Sequence, residues 1–271
     1  MIRLFLHSPY VDKIYIILVC LRYRHKERVA MAQSLNPNLS TRTLGLTGLV
    51  SVLQGLLIFV PTFVLGAAIN WPESLDYPAS QLLPALIEQE GAVRFGYISY
   101  LIYSILFVVA MFMLTKLSAG RAMGAMAGII VAFAIASTTA RSIGIVRWLV
   151  PMPQLAESWS TAATDEERYA ISVTYDSLNF FGGTVGEVLG VSIFAALSLL
   201  VMSIAFLRDG LPKWVGIFGL VAVAALLATT TELMGFEPDT VVLVLGTTMI
   251  QLWFLAVGLW LLFRAAKTKT A

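Results

Sequence analysis

Six long apolar runs, separated by shorter polar stretches, organise this chain: residues 44–68, 97–117, 123–146, 179–207, 214–234 and 241–263. Each reaches the roughly 20 residues that an α-helix needs to cross a hydrocarbon layer about 30 Å thick. The pattern predicts an all-α fold, a polytopic transmembrane bundle of six helices. The two longest connections, 69–96 and 147–178, are too short to bury a core of their own. The expected organisation is therefore an N-terminal segment 1–43, a six-helix domain 44–263 and a short tail 264–271.

The long connections carry patterns of their own. Between Ser80 and Glu90, the residues Leu82, Leu83, Leu86 and Ile87 fall on one helical face, which predicts a short amphipathic helix stopping at Gly91. In the second connection Pro151 and Pro153 turn the chain, and Thr164 with Glu167 forms a capping-box pattern opening a helix that leads into the fourth run. Two such loops fit either a lid over the bundle or padding of the helix ends at the interface. Ahead of the first run, the apolar stretch 14–21 is too short to span and is followed by Arg22, Arg24, Lys26 and Arg28. One reading is a basic juxtamembrane segment on anionic lipid, each cation contributing about 1 kcal/mol. The other takes residues 1–30 as an extension or targeting segment ahead of a native start at Met31. Peptide mapping of the native N-terminus separates the two.

Composition supports the membrane class: 58% apolar residues, 13% charged residues and a mean hydropathy of +0.84 exclude an ordinary soluble domain. Charge then adds orientation. Lys116 and Arg121, Arg208 and Lys213, and Arg264, Lys267 and Lys269 mark alternate connections and the tail, with Asp209 the sole acid among them. The intervening connections carry Glu73, Asp76, Glu88 and Glu90, then Glu157, Asp165, Glu166 and Glu167, then Glu237 and Asp239. Short basic connections stay in the cytoplasm, so both termini are expected there and the long loops outside. The lipid bilayer is the expected partner, and nucleic acid is not.

The chemistry available at depth is narrow. Cys20 is the one cysteine, and His7 and His25, the two histidines, precede the first run. This argues against an internal disulfide, a thiolate cluster, and haem or zinc ligated within the membrane, so neither metal nor cofactor is expected. Apart from Lys116 at the basic end of the second, the apolar runs hold no lysine for a Schiff base, and they hold no aspartate pair for proteolysis. An enzyme is therefore the weakest expectation.

What remains is a small polar set: Arg141 and Arg147 on the third run, Glu187 on the fourth, Glu232 on the fifth, with Gln54 and Gln251 deeper. Measured from Trp148 and Asn179, Arg141 and Glu187 lie about 10 Å and about 12 Å below the outer interface. They can meet on neighbouring antiparallel helices, and an ion pair between them is expected. Gly182, Gly186 and Gly190, with Gly183 one turn before Glu187, give the fourth run a face for close helix packing. Gly124 and Gly128 give the third a weaker one. The pair has two readings, a lock on helix register or part of an outward-facing polar pocket to which Glu232, Tyr100 and Tyr103, and further out Tyr175 and Asp176, add hydrogen-bonding groups. Arg147, beside Trp148 and about 120° around the helix from Arg141, is expected to snorkel to lipid headgroups.

The runs ARSIGIVRWLVPMPQLAESW, GEVLG and LRDGLPKWVGIFGLVAVAALL resemble a family of six-helix bacterial membrane proteins described only as a domain of unknown function. The resemblance covers about 44–263. It implies a six-helix fold in the bacterial plasma membrane and makes Arg141, Arg147, Trp148, Pro153 and Glu187 motif positions, but it carries over no activity. Three functions are thus open: binding or transport of a small polar or anionic molecule, a non-catalytic accessory or assembly subunit docked on a membrane protein partner, and, last, a lipid-modifying enzyme with Glu187 or Glu232 as acid or base.

Overall fold

A computed structural model describes residues 35–236 and 240–269, all helices and connections. Ser40 opens α1 (Thr41–Leu57), its hydroxyl accepting the Thr43 N–H at 3.1 Å. Pro61 has no N–H to return to Leu57, and the helix breaks there before continuing as α2 (Phe59–Ile69). Asn70, in the left-handed conformation at φ 57°, ends it. Next come α3 (Ala79–Glu88), α4 (Glu90–Thr115), α5 (Arg121–Leu149) and α6 (Pro151–Thr161). The fourth span is composite: α7 (Asp165–Gly183), an eleven-residue π-helical segment (Thr184–Phe194) and α8 (Ala195–Arg208). The chain closes with α9 (Lys213–Leu227), 3-10 turns over Ala228–Met234, and α10 (Thr240–Lys269). Six of these helical stretches are long and apolar enough to cross a membrane, so the chain is a multi-pass integral membrane protein. The N-terminal segment with Cys20, His7 and His25, the acids Glu237 and Asp239, and the side chain of Glu232 lie outside the described residues.

The six spans form a closed ring. Each packs on its neighbour in sequence, and the last, α10, returns to lie along α1. Glycine permits that closure. A Cβ on Gly48 would come within 2.9 Å of the Gly258 carbonyl oxygen, and one on Gly258 within 2.7 Å of the Val52 nitrogen, so the two backbones touch. Inside the ring, Phe107, Met111, Leu199, Met202, Phe206, Trp253 and Phe254 belong to one continuous core. Trp253 satisfies its indole N–H on the Val215 carbonyl at 2.9 Å, joining the last two spans.

The basic end is fastened by an acid. Asp209, in the connection between α8 and α9, accepts the N–H groups of Ala122 and Met123 at 3.0 and 2.9 Å and the Ser118 hydroxyl at 2.7 Å. It thus caps α5 from a distant part of the chain, where a carboxylate meets the positive end of the helix dipole. Gly120 is tight against this carboxylate, and any side chain there would collide with Asp209.

At the opposite end α3 and α6 pack on each other over a second core containing Leu65, Leu82, Leu83, Leu86, Tyr97, Trp148 and Met152. Two local expectations change here. Ile87 is 47% exposed and not on the buried face. Gly91 does not stop α3, which ends at Glu88; Gln89 forms the joint and Gly91 lies in the first turn of α4. The chain takes its angle at an ordinary non-glycine residue because α3 is anchored by its leucines and α4 by Val93 and Tyr97. The capping box is present: Thr164 accepts the Glu167 N–H at 3.2 Å, and Glu167 reaches back to the Thr164 N–H at 3.3 Å. Pro151 is the first residue of α6, where its missing N–H is no loss.

Candidate functional site

The third and fourth spans meet along small residues. A Cβ on Gly144 would lie 2.8 Å from the Gly182 carbonyl oxygen and 2.9 Å from the Gly186 Cα, so no side chain fits between the helices. The arginines of α5 are therefore laid beside this seam, each against a glycine of the facing helix. A Cβ on Gly190 would meet Arg141 Cγ at 2.8 Å; one on Gly182 would meet Arg147 Cδ at 2.5 Å and Nη1 at 2.6 Å. Gly182 and Gly190 act as sockets for the two arginines as well as packing positions. Gly183 is 3.6 Å from the guanidinium of Arg147, measured from a built Cβ.

Arg141 is 3% exposed and held from several sides. Its Nε and Nη2 donate to the Ser137 hydroxyl oxygen at 3.1 and 2.8 Å, and that hydroxyl donates to the Gly190 carbonyl at 2.7 Å. The same carbonyl receives the N–H of Ala195 in the π pattern, so the contact between spans coincides with the widened part of the fourth span. Insertion of a side chain into a helix ladder loosens it in this way. The guanidinium also lies 4.5 Å from the Phe107 ring centroid and 5.6 Å from that of Tyr103. The expected direct Arg141–Glu187 ion pair is not among the contacts of Arg141 to the described residues; its hydrogen bonds go to Ser137, four residues back on its own helix.

Arg147 departs further from expectation. It is not extended away from the bundle: it is 7% exposed, folded into the Gly182 notch, with its guanidinium carbon 5.3 Å from the Trp148 ring. Its Nε and Nη1 have no hydrogen-bond partner among the described residues. The 120° that separates it from Arg141 on an ideal helix is bridged by side-chain length, because both long arginines bend toward the same side of the seam. A guanidinium remains charged at any ordinary pH.

Both arginines line one cleft, together with Tyr97, Tyr100, Gly144, Ile145, Trp148, Gly182, Gly186 and Glu187, roofed by Trp71 and Leu75 of the first connection. The cleft has about 20 Å³ of space, enough for one or two water-sized groups. Its charged lining residues are two cations and one carboxylate. Glu187, on the π segment, is an exposed position of that wall. Tyr97 stacks on Trp148 at 5.3 Å, and Trp71 meets Tyr100 edge-on at 6.2 Å. The roof is tied down by α7, where Tyr175 donates to the Tyr77 carbonyl at 2.9 Å and Asn179 to the Leu75 carbonyl at 2.7 Å.

Of the residues singled out in the sequence, the fold brings Arg141, Glu187 and Tyr100 to this cleft. Tyr103 lies just behind it, 5.9 Å from Tyr100, its hydroxyl accepting from Gln251 at 2.6 Å. Tyr175 fastens the roof, and Asp176 is exposed outside it. Arg147, singled out in the polar set but expected to point away, also lines it, and Tyr97 and Trp71 join the cleft without sequence warning, through contacts remote along the chain. Gly124 and Gly128 face open space. No group of three His, Cys, Asp or Glu residues placed to hold a metal ion occurs among the described residues.

Residues 46–265 match the model of a family whose description is Domain of unknown function (DUF4386). No curated protein and no solved structure matches the chain.

Proposed function

The chain belongs to the DUF4386 family, and within that fold we propose that the cleft binds a small anionic or polar group, opening on the outer face of a bacterial plasma membrane. The observation that carries this reading is Arg147: a permanent cation, nine-tenths buried, that lines the cleft and whose Nε and Nη1 have no partner among the described residues. Buried donors without acceptors are costly, and an anion supplies the acceptors. The lining supports the sign, with Arg141 and Arg147 against Glu187. Tyr100 adds a hydroxyl, and the cleft lies at the end of the bundle away from the basic loops. The alternative, an accessory subunit docking through glycine faces, loses the Gly182, Gly186 and Gly190 face, which is packed against α5 of the same chain, and keeps only the weaker open face of Gly124 and Gly128.

Thermal unfolding in detergent tests the reading, with phosphate, sulfate and acetate titrated at constant ionic strength. At least one anion raises the Tm of the wild type, by an amount that follows ligand saturation, and Arg147→Gln abolishes the rise while still melting cooperatively. No shift with any anion, or the same shift in both proteins, rejects it.

A further inference from the structure

Three observations together say more about the ligand, given that the cleft binds an anionic group as proposed above. The first is depth. Along α5, which starts at Arg121, a rise of about 1.5 Å per residue places Arg141 about 30 Å and Arg147 about 39 Å from that basic end. The hydrocarbon layer is itself about 30 Å thick, with headgroups beyond it. Arg147 therefore belongs to the headgroup layer, the level of lipid phosphates, while Arg141, its guanidinium turned back to Ser137, stays in the outer part of the hydrocarbon.

The second observation is size. The cleft offers about 20 Å³, room for one or two water-sized groups, too little for the body of a sizeable polar solute. Only a small head can be drawn against Arg147, and whatever it is attached to must remain outside. The third is the lip. Phe180 and Phe181 directly precede Gly182, the arginine socket, and are 77% and 66% exposed. Residues anchored at a membrane interface are usually Trp or Tyr, whose rings carry a polar tip for water. Neither phenylalanine has such a tip, and Phe181, about 100° around the helix from Gly182, offers a purely apolar surface on the flank of the cationic notch, with Phe180 further round the same turn.

We propose that the ligand is a membrane phospholipid, held by its phosphate on Arg147 at the Gly182 notch, with its acyl chains running past the exposed Phe181 and the turn that carries Phe180. The cleft is then a lipid-head site, entered from the bilayer, and the body outside the cleft is the lipid's own glycerol and tails. Arg141, fixed by Ser137 and the Phe107 and Tyr103 rings, contributes charge from behind. Trp71 and Leu75 close the cleft over the head.

The test compares three probes on delipidated protein in uncharged detergent: dioleoyl phosphatidic acid, glycerol 3-phosphate as its soluble head, and inorganic phosphate, each read by thermal shift and by native mass spectrometry. The lipid is expected to bind at least about 100-fold more tightly than glycerol 3-phosphate, a difference that a few buried methylenes provide. Arg147→Gln removes binding of all three. The double variant Phe180→Ser with Phe181→Ser narrows the preference for lipid over glycerol 3-phosphate. Equal affinity for lipid and glycerol 3-phosphate overturns the lipid assignment and leaves the anion site standing. Undiminished lipid binding by Arg147→Gln overturns the placement of the head, and an unaltered lipid preference in the double phenylalanine variant overturns that of the tails. Failure of all three probes removes both the lipid site and the anion site beneath it.

Discussion

Arg147 keeps a permanent charge where its Nε and Nη1 find no acceptor among the described residues, and this makes it a cost to the ligand-free fold as well as a site. Replacing an unsatisfied buried donor by an apolar group of similar length removes the desolvation penalty. Arg147→Met is therefore expected to raise the Tm of the delipidated, ligand-free protein, by the equivalent of about 1–3 kcal/mol; a drop in Tm would show that the guanidinium is already satisfied. Arg141 behaves differently because Ser137 accepts two of its hydrogen bonds. The two arginines were unequally legible. An arginine inside an apolar run is conspicuous, so Arg141 stood out at once. Arg147 beside Trp148 has the signature of an interfacial residue, and only the notch at Gly182, on another helix, turns it inward. The ion pair expected between Arg141 and Glu187 is not among the contacts of Arg141 to the described residues. Spacing along two helices brings them to one cleft, but the partner that captures a guanidinium is decided by the nearest oxygen, here Ser137 on the same helix.

At the scale of helices, glycine divides into positions the fold uses and positions it leaves open. Gly258 lies within 2.7 Å, from a built Cβ, of the Val52 nitrogen, whereas Gly124 meets nothing within 4 Å. Gly258→Val must push α10 off α1 and open the ring, at a cost of about 1–3 kcal/mol or more; Gly124→Val should stay within about 0.5 kcal/mol of wild type. Melting curves of the two variants in one detergent check the contrast, and equal stabilities would mean that the α1–α10 closure is not what holds the bundle. In sequence both glycines look alike, because close approach depends on the helix opposite. Capping is the reverse case: the Thr164–Glu167 box is local and was readable, while Asp209 caps α5 from far along the chain and was not. The end of α3 at Gln89, one joint before the expected Gly91, belongs with the nonlocal cases, since packing of Leu82, Leu83 and Leu86 fixes where that helix stops.

For the whole molecule, the ring places the ends of all six spans in two layers, one bearing Lys116, Arg121, Arg208, Lys213 and Arg264 and the other α3, α6 and the cleft. With Cys20 replaced by Ser, Glu166→Cys is expected to react with a membrane-impermeant maleimide on intact cells, and Lys267→Cys only after permeabilisation. The opposite pattern would put the cleft in the cytoplasm and remove an outward-facing site. Both test positions are exposed, so a lack of labelling reports sidedness and not burial. The sequence by itself determined the number of spans, their approximate limits and the expected sidedness. A bilayer demands about 20 apolar residues per helix, and loop charge is felt residue by residue, so both signals are local and additive. Only the tertiary structure decided that α10 closes on α1, that Gly182 and Gly190 receive arginines, and that Arg147, Tyr97 and Trp71 share a cleft. Those outcomes depend on which surfaces meet across the ring, and the shape of a facing helix is not written in the segment that packs against it.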